Sequence, residues 1–389
     1  MMLILGILVG LISLTILVAL HELGHALAAK KNGVKLEEFG IGFPPAVFKF
    51  KTKTDKILPK GTPVSINWIP LGGFVKLQGE HDSDSKKGDY GSASFWGKTQ
   101  ILLAGVAMNW LISIVIFSIL AIFGLPKMIP NQFILPFDSK TVGGEVIVAQ
   151  VIDGLPAQKA GIKVDDEILQ INNTKIETAA QISEISKNNA GKKVEVLLKR
   201  GNEELSKTVE LRTNNDDGKG IIGLASSEKT AKIYSTWSAP IVGFGTTVQL
   251  SAETFKGVGE LFSNLFNGVV HKISSGTENQ KVANEQLSKA GESVTGPIAI
   301  VGQVFPQATQ AGFDKILLLM AIISLSLACM NVLPIPALDG GRWLLTFVFR
   351  ILLKKPLSAE TEENINGWSF LALMILSVLI IVLDFTKIF

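Results

Sequence analysis

The sequence predicts a polytopic α-helical membrane protein with about four transmembrane helices, a membrane-associated β-hairpin or sheet, and an extracytoplasmic β-rich domain. Three observations carry that prediction. Four apolar stretches, at about 3–25, 100–124, 315–334 and 368–386, are long enough to cross a bilayer as helices. Only 18% of the 389 residues are charged, and the mean hydropathy is +0.36. Between the second and third stretches, a long segment alternates apolar and polar positions as half-buried strands do.

Taken in order, residues 1–20 contain no ionisable side chain. They also lack the basic leading region of a signal peptide, so they read as a retained helix rather than a cleaved leader. Residues 36–79 read as strands. Val64-Ser65-Ile66-Asn67-Trp68 and Phe74-Val75-Lys76-Leu77 alternate apolar with polar, and Gly40, Gly42, Pro44, Pro45, Gly72 and Gly73 punctuate them. Residues 80–92 are polar and predict a loop. Residues 142–226 read as a compact β-rich unit. Between 238 and 270, Phe244, Val248, Phe255, Val258, Phe262 and Phe266 recur at near-helical spacing, with Glu253, Lys256 and Glu260 as the charged residues. That pattern predicts an amphipathic helix lying on the membrane; a fifth span and a buried helix under the β-rich unit are the alternatives. Residues 271–293 are polar and read as a linker. Residues 340–353 are apolar but hold Arg342 and Arg350, which suits an interfacial helix or a continuation of the third span. The chain thus divides into a first core part (1–126), the β-rich unit (142–226), a helix-and-linker region (227–312) and a second core part (313–389).

Lysine placement gives the orientation. Residues 30–98 hold 12 Lys against 7 acidic residues, and residues 340–367 hold 4 basic residues. Basic loops stay in the cytoplasm, which puts the β-rich unit outside. The formal net charge of +3, with no basic stripe interleaved with aromatics, argues against a nucleic-acid partner. The single cysteine, Cys329, excludes an internal disulfide and a thiolate zinc cluster.

Histidine is scarce: His21, His25, His81 and His271 are all there are. Two of them fall in His21-Glu22-Leu23-Gly24-His25, at the end of the first apolar run. Residues four apart share a helix face, so His21 and His25 can grip one metal ion, with Glu22 placed to take a proton from water. Polar groups at membrane depth cost on the order of 2.5–3.5 kcal/mol when charged, so their presence there calls for a use. A hydrolytic zinc site needs a third protein ligand. His81 lies in a polar loop and His271 on the predicted far side. Asp339 is the better candidate, because the third span would bring its Pro-rich end to the same side as the end of the first.

In 142–226, a strand at 144–151 is followed by Pro156-Ala157-Gln158-Lys159-Ala160-Gly161 and then by Asp166-Glu167-Ile168-Leu169-Gln170-Ile171-Asn172-Asn173. This order resembles a PDZ domain. Asp165 stands where Gly is usual, and Asn173 replaces the common turn Gly; Asn tolerates the left-handed conformation such a turn needs.

The first motif, together with Asn331-Val332-Leu333-Pro334-Ile335-Pro336-Ala337-Leu338-Asp339-Gly340-Gly341, resembles the site-2 proteases, a family of intramembrane zinc metalloproteases. The place of one PDZ-like domain between spans two and three is similar to the bacterial branch that cleaves anti-sigma factors and remnant signal peptides, although many members carry two such domains. The resemblance implies one Zn2+ held by His21, His25 and Asp339, with Glu22 as catalytic base. It implies single-span membrane proteins as substrates and the bacterial cytoplasmic membrane as location, with the active site toward the cytoplasm. Substrate would be held extended by the strands at 64–77, including Phe74 and Val75, and by Asn331. Asn109, inside the second span, reads as interhelical glue or as a further substrate contact. A peptide C-terminus at the PDZ-like domain is a further expected partner, with size filtering as that domain's other role. The rival functions are a non-catalytic membrane adaptor and a metal transporter.

Overall fold

The structure, a computed structural model, describes residues 2–273, 277–292 and 296–388. The chain divides into two units, one made of residues 1–120 and 240–389, the other of residues 121–239.

The first unit begins with α1 (Met2–Lys31). One stripe is buried, at Gly6, Gly10, Ser13, Leu17, His21 and Gly24, spaced three or four residues apart as a packed helix face requires. A Cβ on Gly6 would overlap Pro306, so the absence of side chains there lets two backbones meet closely, as between helices in lipid. Next come β1 (Leu36–Lys51) and β2 (Pro63–Leu77), paired antiparallel. Both bend. Residues 39–41 pair on one side with 64–66 and on the other with 73–75, while 46–51 pairs with 63–67. Two long strands therefore build a four-segment sheet in which 73–77 pairs on one side only. Phe43, Phe48, Ile66 and Trp68 are exposed on it. The loop at 80–92 leads into α2 (Phe95–Phe123).

The second unit is mostly strand: β3 (Leu125–Pro126), β4 (Lys140–Val142) and β5 (Val146–Val151), then a short α3 (Pro156–Lys159). There follow β6 (Glu167–Ile171), β7 (Thr174–Lys175), α4 (Ala179–Asn188), β8 (Lys193–Arg200) and β9 (Glu203–Glu210). β10 (Leu224–Glu228) and β11 (Lys232–Tyr234) complete it. The larger sheet has the order β10-β5-β6-β8-β9, with β7 on β6; a second sheet has the order β3-β11-β4. Alternation explains the core: β8 buries Val194, Val196 and Leu198 while Lys193 and Glu195 face out. Asp165, Asn172 and Asn173 all adopt positive φ, at 69°, 47° and 64°. The two positions noted as departures from the expected glycines thus keep the turns those glycines would make.

The first unit resumes with α5 (Ala239–Ile273) and α6 (Thr277–Glu292). α5 is helical as expected, but its first half packs on α2: Val242, Thr247 and Ser251 are buried, and Trp110 Nε1 donates to Ser251 Oγ at 2.9 Å. The supposed linker at 271–293 contains α6. Its polarity belongs to an exposed helix face, carrying Glu285 and Lys289 at 2.7 Å, while Ala283 and Ala290 are buried. Then come α7 (Pro297–Ala299), a π-helical turn (Ile300–Val304), α8 (Phe305–Ala311), which meets α1, and α9 (Phe313–Asn331). Residues 332–338, with two prolines, break the helix. α10 (Asp339–Phe347) is therefore a separate helix and no continuation of the third span; a π-helical turn (Val348–Leu352) and α11 (Ala359–Ile388) follow. Among the described residues, α1, α2 and α9 are long and apolar enough to cross a membrane. The fourth expected span lies on α11, several of whose side chains fall outside the described residues.

Candidate metal centre

The last turns of α1 carry His21, Glu22 and His25. The two imidazoles are one turn apart, and both are buried. Asp339, the first residue of α10, comes against them. Its Oδ2 lies 3.2 Å from His21 Nε2 and 3.3 Å from His25 Nε2, and the two Nε2 atoms are 3.1 Å apart. Two residues one helical turn apart and a third from near the other end of the chain thus form one near-equilateral triangle of donor atoms.

That triangle fits a small cation. Zinc bonds to nitrogen and oxygen at about 2.0–2.2 Å in tetrahedral geometry, which sets ligand atoms about 3.3 Å apart. Asp339 Oδ2 is buried with no hydrogen-bond partner. With both Nε2 atoms unprotonated, three lone pairs crowd one small volume, and positive charge placed between them relieves their repulsion. The donor set, two imidazoles and a carboxylate, is one that zinc accepts.

α2 runs behind the pair. The Ile101 carbonyl accepts a hydrogen bond from His25 Nδ1 at 2.7 Å, which fixes the ring and leaves Nε2 free as a ligand. One turn on, a Cβ on Gly105 would overlap both His25 Nε2 and His21; only glycine lets α2 come this close. A further turn on, the Asn109 amide stands 3.2 Å from His21 Nδ1. Asn331 Nδ2, at the end of α9, is 3.5 Å from His21 Nε2. Glu22 points to the sheet: the Val75 N–H donates to its Oε2 at 3.0 Å. Phe74, the neighbouring residue, covers Gly40 instead.

Two cavities flank the triangle. One of about 190 Å³ is lined by His21, Glu22, His25 and Asp339 together with Val75, Leu77, Glu80, Tyr90 and Arg342. The other, about 320 Å³, adds Val18, Asn109, Leu327 and Asn331. Burial pushes the Tyr90 phenol up to about 12, so it remains a neutral hydroxyl facing this space. Behind the first cavity, Asp82 is clamped by Lys98, by Arg350 Nε at 2.9 Å and by the Leu357 N–H at 2.8 Å. The Asp82 N–H in turn donates to Glu362 at 2.8 Å. This cluster joins the 80–92 loop to α2, to the turn after α10 and to α11.

Sequence reasoning named His21, Glu22, His25, Asp339, Asn331 and Val75, and the fold brings all six to one place. His81 pairs instead with Glu363 at 3.3 Å, and His271 lies near the end of α5, outside the triangle. Asn109 takes part in gluing helices together, one of the two roles its place in the second span suggests. Its backbone carbonyl does that work, accepting from Ser324 of α9, while its side chain faces His21. Gly105 and the Ile101 carbonyl were not singled out. Their signal was available only as the four-residue spacing 101, 105, 109 along one helix face.

The family model described as peptidase family M50 matches residues 9–376. The chain belongs to peptidase family M50. A protein of Clostridium perfringens, provisionally named a zinc metalloprotease, is 31% identical over 97% of this chain and 98% of its own length. Similarly named proteins of Clostridium acetobutylicum and Fusobacterium nucleatum are 29% and 26% identical, over 97% and 98% of this chain and 97% and 99% of their own lengths. The expectation of a site-2-type zinc metalloprotease with membrane-spanning helices is thereby met for this M50 peptidase. A solved PDZ domain of an SdrC-like protein from Listeria monocytogenes is 20% identical over 22% of this chain and 92% of its own, with a TM-score of 0.20, too slight a likeness to assign the fold of the second unit.

Proposed function

We propose that this M50 peptidase hydrolyses peptide bonds within or near the transmembrane segments of single-span membrane proteins, such as anti-sigma factors or remnant signal peptides. The observation that carries this reading is the convergence of His21, His25 and Asp339 beside Glu22, at the end of a helix long and apolar enough to cross a membrane. These three residues would hold one zinc ion, which when bound activates water and polarises the scissile carbonyl. Glu22 is the general base. The Val75 N–H anchors one of its oxygens, leaving the other to take a proton and later return one to the leaving amine.

A substrate helix hides its carbonyls in its own hydrogen bonds and has to be unwound. Segment 73–77 supports this step, being a sheet edge that lines the same cavity as the zinc-ligand set; an extended peptide adds to such an edge through main-chain hydrogen bonds. Asn331 is placed to steady that peptide beside His21. The exposed apolar side chains of the sheet suit contact with lipid. On this reading α11 is the fourth span, the site lies toward the cytoplasm of a bacterial cytoplasmic membrane, and the second unit, PDZ-like in its order of elements, lies outside. There it binds a substrate's C-terminus or excludes bulky substrates.

The test is cleavage of tagged single-span substrates by wild type and Glu22→Gln in parallel. The variant keeps its zinc and loses activity by about 10²–10⁴-fold. Undiminished processing by Glu22→Gln would return the adaptor reading to first place.

A further inference from the structure

We infer that Asn109 is a positioning residue for zinc: its side-chain amide sets the tautomer of His21, as the Ile101 carbonyl sets that of His25. This rests on the zinc-ligand reading above. Residues 101, 105 and 109 lie one turn apart on α2, on the face turned to the histidine pair. Ile101 presents a carbonyl to His25 Nδ1, Gly105 makes room, and Asn109 presents an amide to His21 Nδ1.

The two ends of that amide have opposite consequences. The end now nearest His21 Nδ1 is Nδ2, at 3.2 Å. With an N–H donating to Nδ1, the ring proton belongs on Nε2, and a protonated Nε2 has no lone pair for a metal. Ligation through Nε2 requires the other end. A half-turn of the amide, which exchanges two groups of nearly equal size, brings Oδ1 to accept a hydrogen bond from Nδ1–H and frees Nε2. Asn109 Oδ1 is buried without a partner as it stands, so the turn gives up only the Nδ2 contact with His21 Nδ1, which it replaces with one from Oδ1. Nor does the helix packing depend on it, since Ser113 and Ser324 bind the backbone carbonyl of Asn109 and not its side chain. Asn109 is itself fully buried, where no bulk water can replace the lost acceptor.

The experiment is chelator competition on the purified full-length protein, with zinc counted by metal analysis, for wild type, Asn109→Leu, Asn109→Asp and His21→Ala. Leu is close in size but accepts nothing; Asp keeps an acceptor oxygen. Loss of an outer hydrogen-bond partner typically weakens metal binding about 10–100-fold. The expected result is that loss for Asn109→Leu, near-wild-type retention for Asn109→Asp, and abolished binding for His21→Ala. Equal zinc affinity in wild type and Asn109→Leu, with His21→Ala metal-free, overturns the role of Asn109 alone. Zinc retained by His21→Ala overturns the ligand assignment beneath it. If Asn109→Leu does not fold, Asn109→Ala takes its place, and the same contrast with Asn109→Asp decides the matter.

Discussion

Two aspartates of the same unit, Asp82 buried and Asp339 half-buried, are surrounded in opposite ways. Asp82 is met by donors on every side: Lys98, Arg350 and the Leu357 N–H all point at its carboxylate. Asp339 is met by ring nitrogens at 3.2 and 3.3 Å, and its Oδ2 has no hydrogen-bond partner. A carboxylate that holds a fold together collects N–H groups, because an unmet buried charge is costly. A carboxylate set among imidazole nitrogens instead presents a donor set that a cation accepts. The first arrangement is complete within the protein; the second has the donors of a metal-ligand set.

The widest separation between the two comes from matched amide substitutions. Asp339→Asn weakens zinc binding beyond the roughly 100-fold that an outer partner is worth, and cleavage falls to background. In the presence of chelator, its thermal stability stays at or above that of wild type, since a repelling lone pair has been removed. Asp82→Asn does the reverse. It leaves Lys98 and Arg350 uncompensated and costs about 3–5 kcal/mol, while zinc per folded molecule is unchanged. Unfolding curves and metal counts on both variants check this. A melt of Asp339→Asn as deep as that of Asp82→Asn would erase the distinction.

The sequence carried one of these aspartates and not the other. Asp339 was legible because its proline-rich flank, the predicted side of the membrane and the need for a third ligand all converged on it. Asp82 was not, since a charged residue in a polar loop has the pattern of a solvated one, and its partner Arg350 is 268 positions away. The same limit hid Ile101, whose contribution is a backbone carbonyl without side-chain signature. It also hid the bend in β1 and β2: alternation with period two locates a strand but does not say how many neighbours it has. Local chemistry fared better. The left-handed turn at Asn172 and Asn173 and the helix break before Asp339 follow from residue type alone.

The Asp82 cluster also sets a pH dependence. Burial alone would raise its carboxyl pKa, but Lys98, the Leu357 N–H and Arg350 outweigh that and hold it below the ordinary aspartate range. The unfolded chain, with Asp near about 3.9, then binds more protons than the folded one in the window just below that value. Stability from Asp82 is therefore full above about pH 4 and is lost as pH falls toward the depressed value. Chelated wild-type protein should lose stability on acidification through this window more steeply than Asp82→Asn does. Parallel slopes would mean that the clamp contributes no charge.

The second unit offers the smallest test of the same contrast. Asp166 is buried on β-rich ground and answered by Arg200 through two hydrogen bonds, at 2.7 and 2.8 Å, and by the Lys163 N–H at 2.8 Å. It thus belongs with Asp82 as a satisfied carboxylate. Arg200 keeps about a third of its side chain exposed, so water can take over part of the pairing when it is broken, and the loss should be smaller than at Asp82. Asp166→Asn is expected to cost about 1–2 kcal/mol. In the full-length protein that appears as amide exchange about 5–30-fold faster in β6 and β8, with zinc content unchanged. Exchange rates there identical to wild type would mean that a full set of donors does not by itself mark a carboxylate as structural, and Asp339 would then have to be told from its neighbours by its lone-pair surroundings alone.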